Sequence, residues 1–147
     1  NASETARKLR PIQDSADLWL HTEDLVHVDG DGYLYFVGRT DDIIKVGGNK
    51  VSPIEVEDVL CRMPHLFEVA VVGIPDDTWG EVAKAFIVLE EGFQLDVGEV
   101  LRFCAMHLRP FMIPKSVAFV KHLPKTESGK VRKSALALEP AALSGPV

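Results

Sequence analysis

The chain has 147 residues, 46% hydrophobic and 26% charged, which suits a globular chain with one substantial core rather than a disordered one. A formal charge of −6 argues against a dedicated nucleic-acid binder, which needs a broad basic face, yet a local basic island can still take a small anion. Two cysteines, Cys61 and Cys104, make neither a disulfide framework nor a CxxC metal site, and both are expected to be small buried hydrophobes in a reducing compartment.

Residues 1–18 are polar and mixed, with no sustained period and Pro11 interrupting them, and look like a segment of something larger. A hairpin follows: Val26 and Val28 precede the turn Asp29-Gly30-Asp31-Gly32, and Tyr33-Leu34-Tyr35-Phe36-Val37 has strand composition. Alone in water a two-stranded hairpin is marginal and needs packing partners; if this chain lacks them, residues 1–38 are expected to be the loosest part. Residues 39–42 carry turn chemistry. Residues 43–46 and Val51 read as short strands around Gly47-Gly48-Asn49-Lys50. Ser52-Pro53-Ile54-Glu55 predicts a helix start, with Ser52 as N-cap and Pro53 in the first position. Val56, Val59, Leu60 and Met63 mark its buried face, and Pro64 ends it.

Residues 69–72 form an apolar run bounded by Gly73 and Pro75, which predicts a short central strand. A loop over residues 75–81 leads to a strand over 85–89, its antiparallel neighbour. Asp96 with Glu99 predicts a capped second helix whose apolar set is Val97, Val100, Leu101, Cys104 and Leu108. Pro110 and Pro114 bracket a loop before the last strand at 116–120. Residues 131–138 suffice for two helical turns, and residues 140–147 are expected to be a disordered tail. The order strand–helix–strand–strand–helix–strand predicts an α+β domain, a small, mainly antiparallel sheet packed with helices.

The chemical content is concentrated in one stretch. Pro124-Lys125-Thr126-Glu127-Ser128-Gly129-Lys130-Val131-Arg132-Lys133 is a basic island in an acidic chain, and the bare Gly129 leaves the Lys130 ammonium free to swing toward a phosphate or carboxylate. It is not a nucleotide P-loop, because Val131 stands where a hydroxyl is required. The five histidines are scattered without metal-ligand spacing, so no metal site is expected. No Gly-x-Ser-x-Gly elbow and no GxGxxG after a strand is present. Asp41-Asp42 and Asp76-Asp77 read as turn formers. No apolar run approaches the roughly 18 residues of a membrane span and no signal-peptide pattern opens the chain, so the cytosol is the expected location.

Three stretches in register carry a family resemblance over about residues 19–138. Gly38-Arg39-Thr40-Asp41-Asp42-Ile43-Ile44-Lys45-Val46-Gly47-Gly48 resembles the hinge motif of the adenylate-forming superfamily of acyl- and aryl-CoA synthetases, peptide-synthetase adenylation domains and firefly luciferase. His21-Thr22-Glu23-Asp24 resembles that family's Thr-Gly-Asp motif, and the stretch from Pro124 to Lys130 is similar to its catalytic-lysine motif.

The resemblance implies a fragment of a two-domain enzyme. Residues 1–38 would be the end of the large N-terminal adenylating domain, 39–42 the hinge, and 43–139 the mobile C-terminal domain. It implies an acid–thiol ligase that uses ATP with Mg2+ to turn a carboxylic acid, fatty or other acyl, into an acyl-adenylate, then passes the acyl group to coenzyme A. Lys130 would be the catalytic lysine bridging carboxylate and α-phosphate. Asp24 and Arg39 would bind the nucleotide and Asp41 would be the hinge. Gly47 and Gly48 would leave room for a pantetheine arm, and Trp79 would either border the same tunnel or be a packed anchor.

Glu23 departs from the family's Gly; if that position needs positive φ, it strains the turn beside Asp24. Val51-Ser52-Pro53-Ile54-Glu55-Val56-Glu57 resembles the CoA-ligase branch. A domain that loads a carrier-protein phosphopantetheine and a non-catalytic interaction domain remain open. The partners implied are the N-terminal adenylating domain and a small carboxylic acid; the fragment alone is expected to hold no cofactor and to be inactive.

Overall fold

The computed structural model describes residues 2–11 and 17–138. They divide into two compact units, Asn1–Asp41 and Asp42–Val147. In the first, helix α1 (Ala2–Lys8) and strand β1 (Leu9–Pro11) are followed by β2 (Leu18–Leu20), β3 (Asp24–Val28) and β4 (Leu34–Arg39). Strands β1 and β2 pair antiparallel, with Leu9 opposite Leu20 and Arg10 opposite Trp19. Residues 1–18 show no sustained period in sequence because a three-residue strand is too short to register as one.

Strands β3 and β4 form the expected hairpin, from Asp24 opposite Arg39 to Val28 opposite Leu34. Its turn is closed by Asp29: one carboxylate oxygen accepts the N–H groups of Asp31 and Tyr33 at 3.0 Å, and the other accepts the Tyr35 hydroxyl at 2.9 Å. The Tyr33 N–H bond foremost, with desolvation opposing and the Tyr35 hydroxyl and further backbone N–H groups adding to it, holds the Asp29 carboxyl below its ordinary range.

The second unit holds β5 (Ile44–Val46), β6 (Asn49–Val51), α2 (Pro53–Leu60), β7 (Leu66–Asp76), β8 (Gly80–Leu89), α3 (Val97–His107), a 3₁₀ turn (Pro110–Met112), β9 (Ser116–Phe119) and α4 (Lys133–Ala137). Strand order is β6-β5-β8-β7, with β9 also against β8. All pairings are antiparallel except β9 on β8, which is parallel because α3 carries the chain back across the sheet.

Strand β7 runs through Gly73 and Pro75, beyond the boundaries that these residues predict. Glycine eases the packing there: a Cβ would lie 3.2 Å from Ile44 Cγ2, a tight contact that the missing side chain avoids beside β5. Pro75 sits opposite Glu81 next to the end of the ribbon. Helix α2 stops at Leu60, before the expected Pro64, so Met63 is buried from the following turn. Ser52 has extended N-cap geometry without a side-chain cap bond, whereas Asp96 and Glu99 complete their capping box. Cys104 is buried, and burial pushes its thiol up to about 11; Cys61 is exposed, contrary to expectation, because it lies just past the end of α2. The expected tail at 140–147 lies outside the described residues.

Two apolar layers sandwich β8. On one face Ala83, Ala85 and Ile87 pack with Val56 and Leu60 of α2 and Val100 and Cys104 of α3. On the other, Phe86 and Val88 pack with Ala70, Val72, Ala118, Leu123 and Leu136. Lys84 is buried on this second side, its ammonium 4.7 Å from the centre of the Phe86 ring. Among the described residues no helix is long and apolar enough to cross a membrane.

Phe86 has no exposed surface and anchors the second layer. Phe86→Ala is expected to destabilise the domain by about 3–5 kcal/mol in denaturant unfolding. A loss below about 1 kcal/mol would show that this layer does not hold the domain together.

Candidate functional site

Three of the implied site residues meet in the first unit, around Arg39. The guanidinium forks onto Asp41, with Nε donating to Oδ1 at 2.9 Å and Nη2 to Oδ2 at 3.1 Å. Nη2 also reaches Glu23 Oε2 at 3.4 Å, and Nη1 lies 3.6 Å from Asp24 Oδ1. Arg39 thus faces three carboxylates, and its hydrogen bonding holds the Asp41 carboxyl below the usual range. Asp24 lies opposite Arg39 in the β3–β4 register.

Glu23 itself has φ +66, in the left-handed region. Its carbonyl accepts the Thr40 N–H at 2.8 Å and the Thr40 hydroxyl at 2.6 Å, so the backbone is held there from across the hairpin. A non-glycine residue in this conformation costs about 1–2 kcal/mol. Glu23→Gly is therefore expected to be more stable than Glu23→Ala by about 1 kcal/mol in thermal or denaturant unfolding, since both lose the Arg39 pair and only glycine relieves the strain. Equal stability would mean that the turn relaxes away from positive φ.

In the second unit Gly47 and Trp79 are in direct contact. The Gly47 N–H donates to the Trp79 carbonyl at 2.9 Å, and a Cβ at Gly47, whose φ is +52, would fall 2.5 Å from Trp79 Cε3. The ring fills the space left by the missing side chain while remaining half exposed. Gly48, at φ +84, meets nothing within 4 Å of an added Cβ and borders open space. Two acids hold this corner. Glu81 accepts the Lys45 N–H at 2.8 Å; Asp76 accepts the N–H groups of Trp79 and Thr78 at 2.9 Å and pairs with Lys115 at 3.2 Å.

Those bonds, Trp79 N–H foremost, hold the Asp76 carboxyl below its ordinary range, with desolvation opposing and Lys115 adding to them. Because the folded value lies below the unfolded one, the contribution to stability is complete above about pH 4 and lost as pH falls through the folded value. In a Trp19→Phe background, Trp79 emission is expected to change on acidification below about pH 4. Asp76→Asn should remove that step; a step that survives the substitution would assign it to another carboxylate.

Lys130 stands on a third feature, a small closed loop. Lys125 bridges Val131 antiparallel, Arg132 N–H donates to the Pro124 carbonyl at 2.7 Å, and Thr126 N–H donates to the Lys130 carbonyl at 2.8 Å. Thr126 Oγ1 accepts the Lys130 N–H at 3.2 Å, and Gly129 turns the tip at φ +83. Lys130 is exposed there. The loop limbs are fixed by two acids, Glu68 on β7 pairing with Lys125 and Glu57 on α2 pairing with Lys133. Neither pairing could be found from sequence, because an acid on a strand or helix carries no local signal of its distant partner.

Residues 55–130 match the family described as the AMP-binding enzyme C-terminal domain. The chain belongs to that family. This AMP-binding C-terminal domain is 44% identical over 117 residues to the feruloyl-CoA synthase of an Amycolatopsis species, covering 80% of this chain and 24% of that protein. To the indoleacetate–CoA ligase of Aromatoleum aromaticum it is again 44% identical over 117 residues, covering 80% and 23%. Among solved structures, the ATP-bound MatB of Rhodopseudomonas palustris superposes with a TM-score of 0.81 at 33% identity, covering 92% of this chain and 26% of that one. The chain thus spans about a quarter of the length of these relatives. They are adenylate-forming enzymes and CoA ligases, and this domain is the C-terminal part of that architecture.

Proposed function

We propose that the full-length protein is an AMP-forming acid–thiol ligase, in which residues 1–38 end the adenylating domain and residues 43–139 rotate about residues 39–42. In the first half-reaction a carboxylate oxygen attacks the α-phosphorus of ATP, which enters with Mg2+, and pyrophosphate leaves. In the second, a thiol attacks the acyl carbonyl and AMP leaves.

The exposed Lys130 on a closed, glycine-tipped loop carries this reading. A cation held there offsets the negative charge that gathers as carboxylate and phosphate approach, with no reorganisation needed at the moment of reaction. Asp24 suits vicinal ribose hydroxyls as an acceptor, and Arg39 suits the ribose or phosphate region, once it shares its guanidinium among fewer carboxylates. The forked Arg39–Asp41 pair sits where the two compact units divide, fitting a hinge whose few residues absorb the rotation. The open side of Gly48 and the Trp79 ring on Gly47 suit passage of a pantetheine arm. That arm belongs to coenzyme A in this reading; a carrier protein would present the same group, and the acceptor thiol in the assay decides between them.

The test uses the full-length enzyme, following acid-dependent pyrophosphate release separately from thioester formation off preformed acyl-adenylate. Lys130→Ala is expected to slow the first by about 10²–10³ and to spare the second. Retention of both would make the loop an ordinary basic turn and favour an interaction domain. Residues 1–147 alone are expected to form no acyl-adenylate.

A further inference from the structure

We propose that Glu68 and Glu57 are positioning residues for Lys130, clamping the two limbs of its loop from outside; this rests on the ligase reading above. The loop leaves the core at Leu123, 3% exposed, and returns at Leu136, 1% exposed, both in the layer on Phe86. Between these plugs Val131 packs half-buried against the same layer, and the polar remainder of the loop is tied by its own short-range bonds and by two ion pairs. Glu68 Oε1 takes the Lys125 ammonium on the outgoing limb. On the returning limb Glu57 Oε1 takes Lys133 Nζ at 2.7 Å and also the Val71 N–H at 2.7 Å, so that carboxylate is itself fixed to the central sheet.

Side chains that are 18–43% exposed in these pairs give little global stability, because water screens them. Direction is what they supply. Leu123, Val131 and Leu136 seat the base of the loop on the sheet, and its outer limbs extend beyond that apolar contact. A pair on each limb fixes the tilt, and hence the place of the ammonium at the tip. Displacing a catalytic group by about 1 Å can cost on the order of a hundredfold in rate, so weak pairs have leverage here that they lack on stability.

The test is again on the full-length enzyme, with both half-reactions measured. Glu68→Gln keeps shape and removes charge; it is expected to lower kcat of adenylation roughly three- to tenfold, with KM for ATP and the thioester step unchanged. Amide exchange of residues 125–131 should quicken. The reciprocal Glu68→Lys with Lys125→Glu should recover most of the lost kcat. Adenylation within twofold of wild type in Glu68→Gln, equal loss in both half-reactions, or no recovery on charge reversal would each overturn the proposal. Lys130→Ala in parallel separates the two levels: if it leaves adenylation intact, the ligase reading fails; if it abolishes adenylation while Glu68→Gln is silent, only the clamp fails.

Discussion

Residues 82–88 of β8 are all buried, so this strand can exist only with an apolar layer on each side. Side chains alternate along it, sending Ala83, Ala85 and Ile87 to one layer and Phe86 and Val88 to the other. Helices α2 and α3 cover the first. The second is covered by the segment that follows β9, which contributes Leu123, Val131 and Leu136. The loop bearing Lys130 is therefore the polar interval between two apolar anchors, and its existence follows from the need to close the second face of the sheet. Fully burying one such side chain is worth about 1.5–3 kcal/mol, far more than any ion pair on the loop.

A second regularity is where the carboxylates go. Glu57 takes the Val71 N–H, Glu81 the Lys45 N–H, Asp76 those of Thr78 and Trp79, and Asp29 those of Asp31 and Tyr33. Each satisfies a backbone donor at a strand or turn. Part of the net charge of −6 is thus structural, and the basic stretch from Lys125 to Lys133 stands out against it because two of its lysines are matched by acids while Lys130 is left exposed at the tip.

Local chemistry was legible in the sequence, and tertiary compensation was not. Asp96 and Glu99 spell a capping box within four residues, and the box forms. The Asp29–Gly32 turn and its flanking strands are likewise local, as is the Gly129 tip of the lysine loop. Gly73 read as the end of a strand because nothing nearby discloses that Ile44 packs close against it. The parallel docking of β9 and the Glu68–Lys125 pair, 57 residues apart, depend on the completed sheet. At the site, Asp24, Arg39 and Asp41 were named from motifs and do converge, but the added carboxylate of Glu23 on the same guanidinium follows only from the β3–β4 pairing.

The contact between Gly47 and Trp79 has a consequence for how this corner can vary over descent. The ring occupies the volume that a methyl at position 47 would need, and the backbone there is left-handed besides. Alanine at 47 is blocked twice while the indole is present and once, by conformation alone, when it is absent. The order of change is consequently not symmetrical: a lineage can lose the ring first and the glycine later, whereas the reverse order passes through a clash. The two positions, 32 apart along the chain, thus constrain each other sterically.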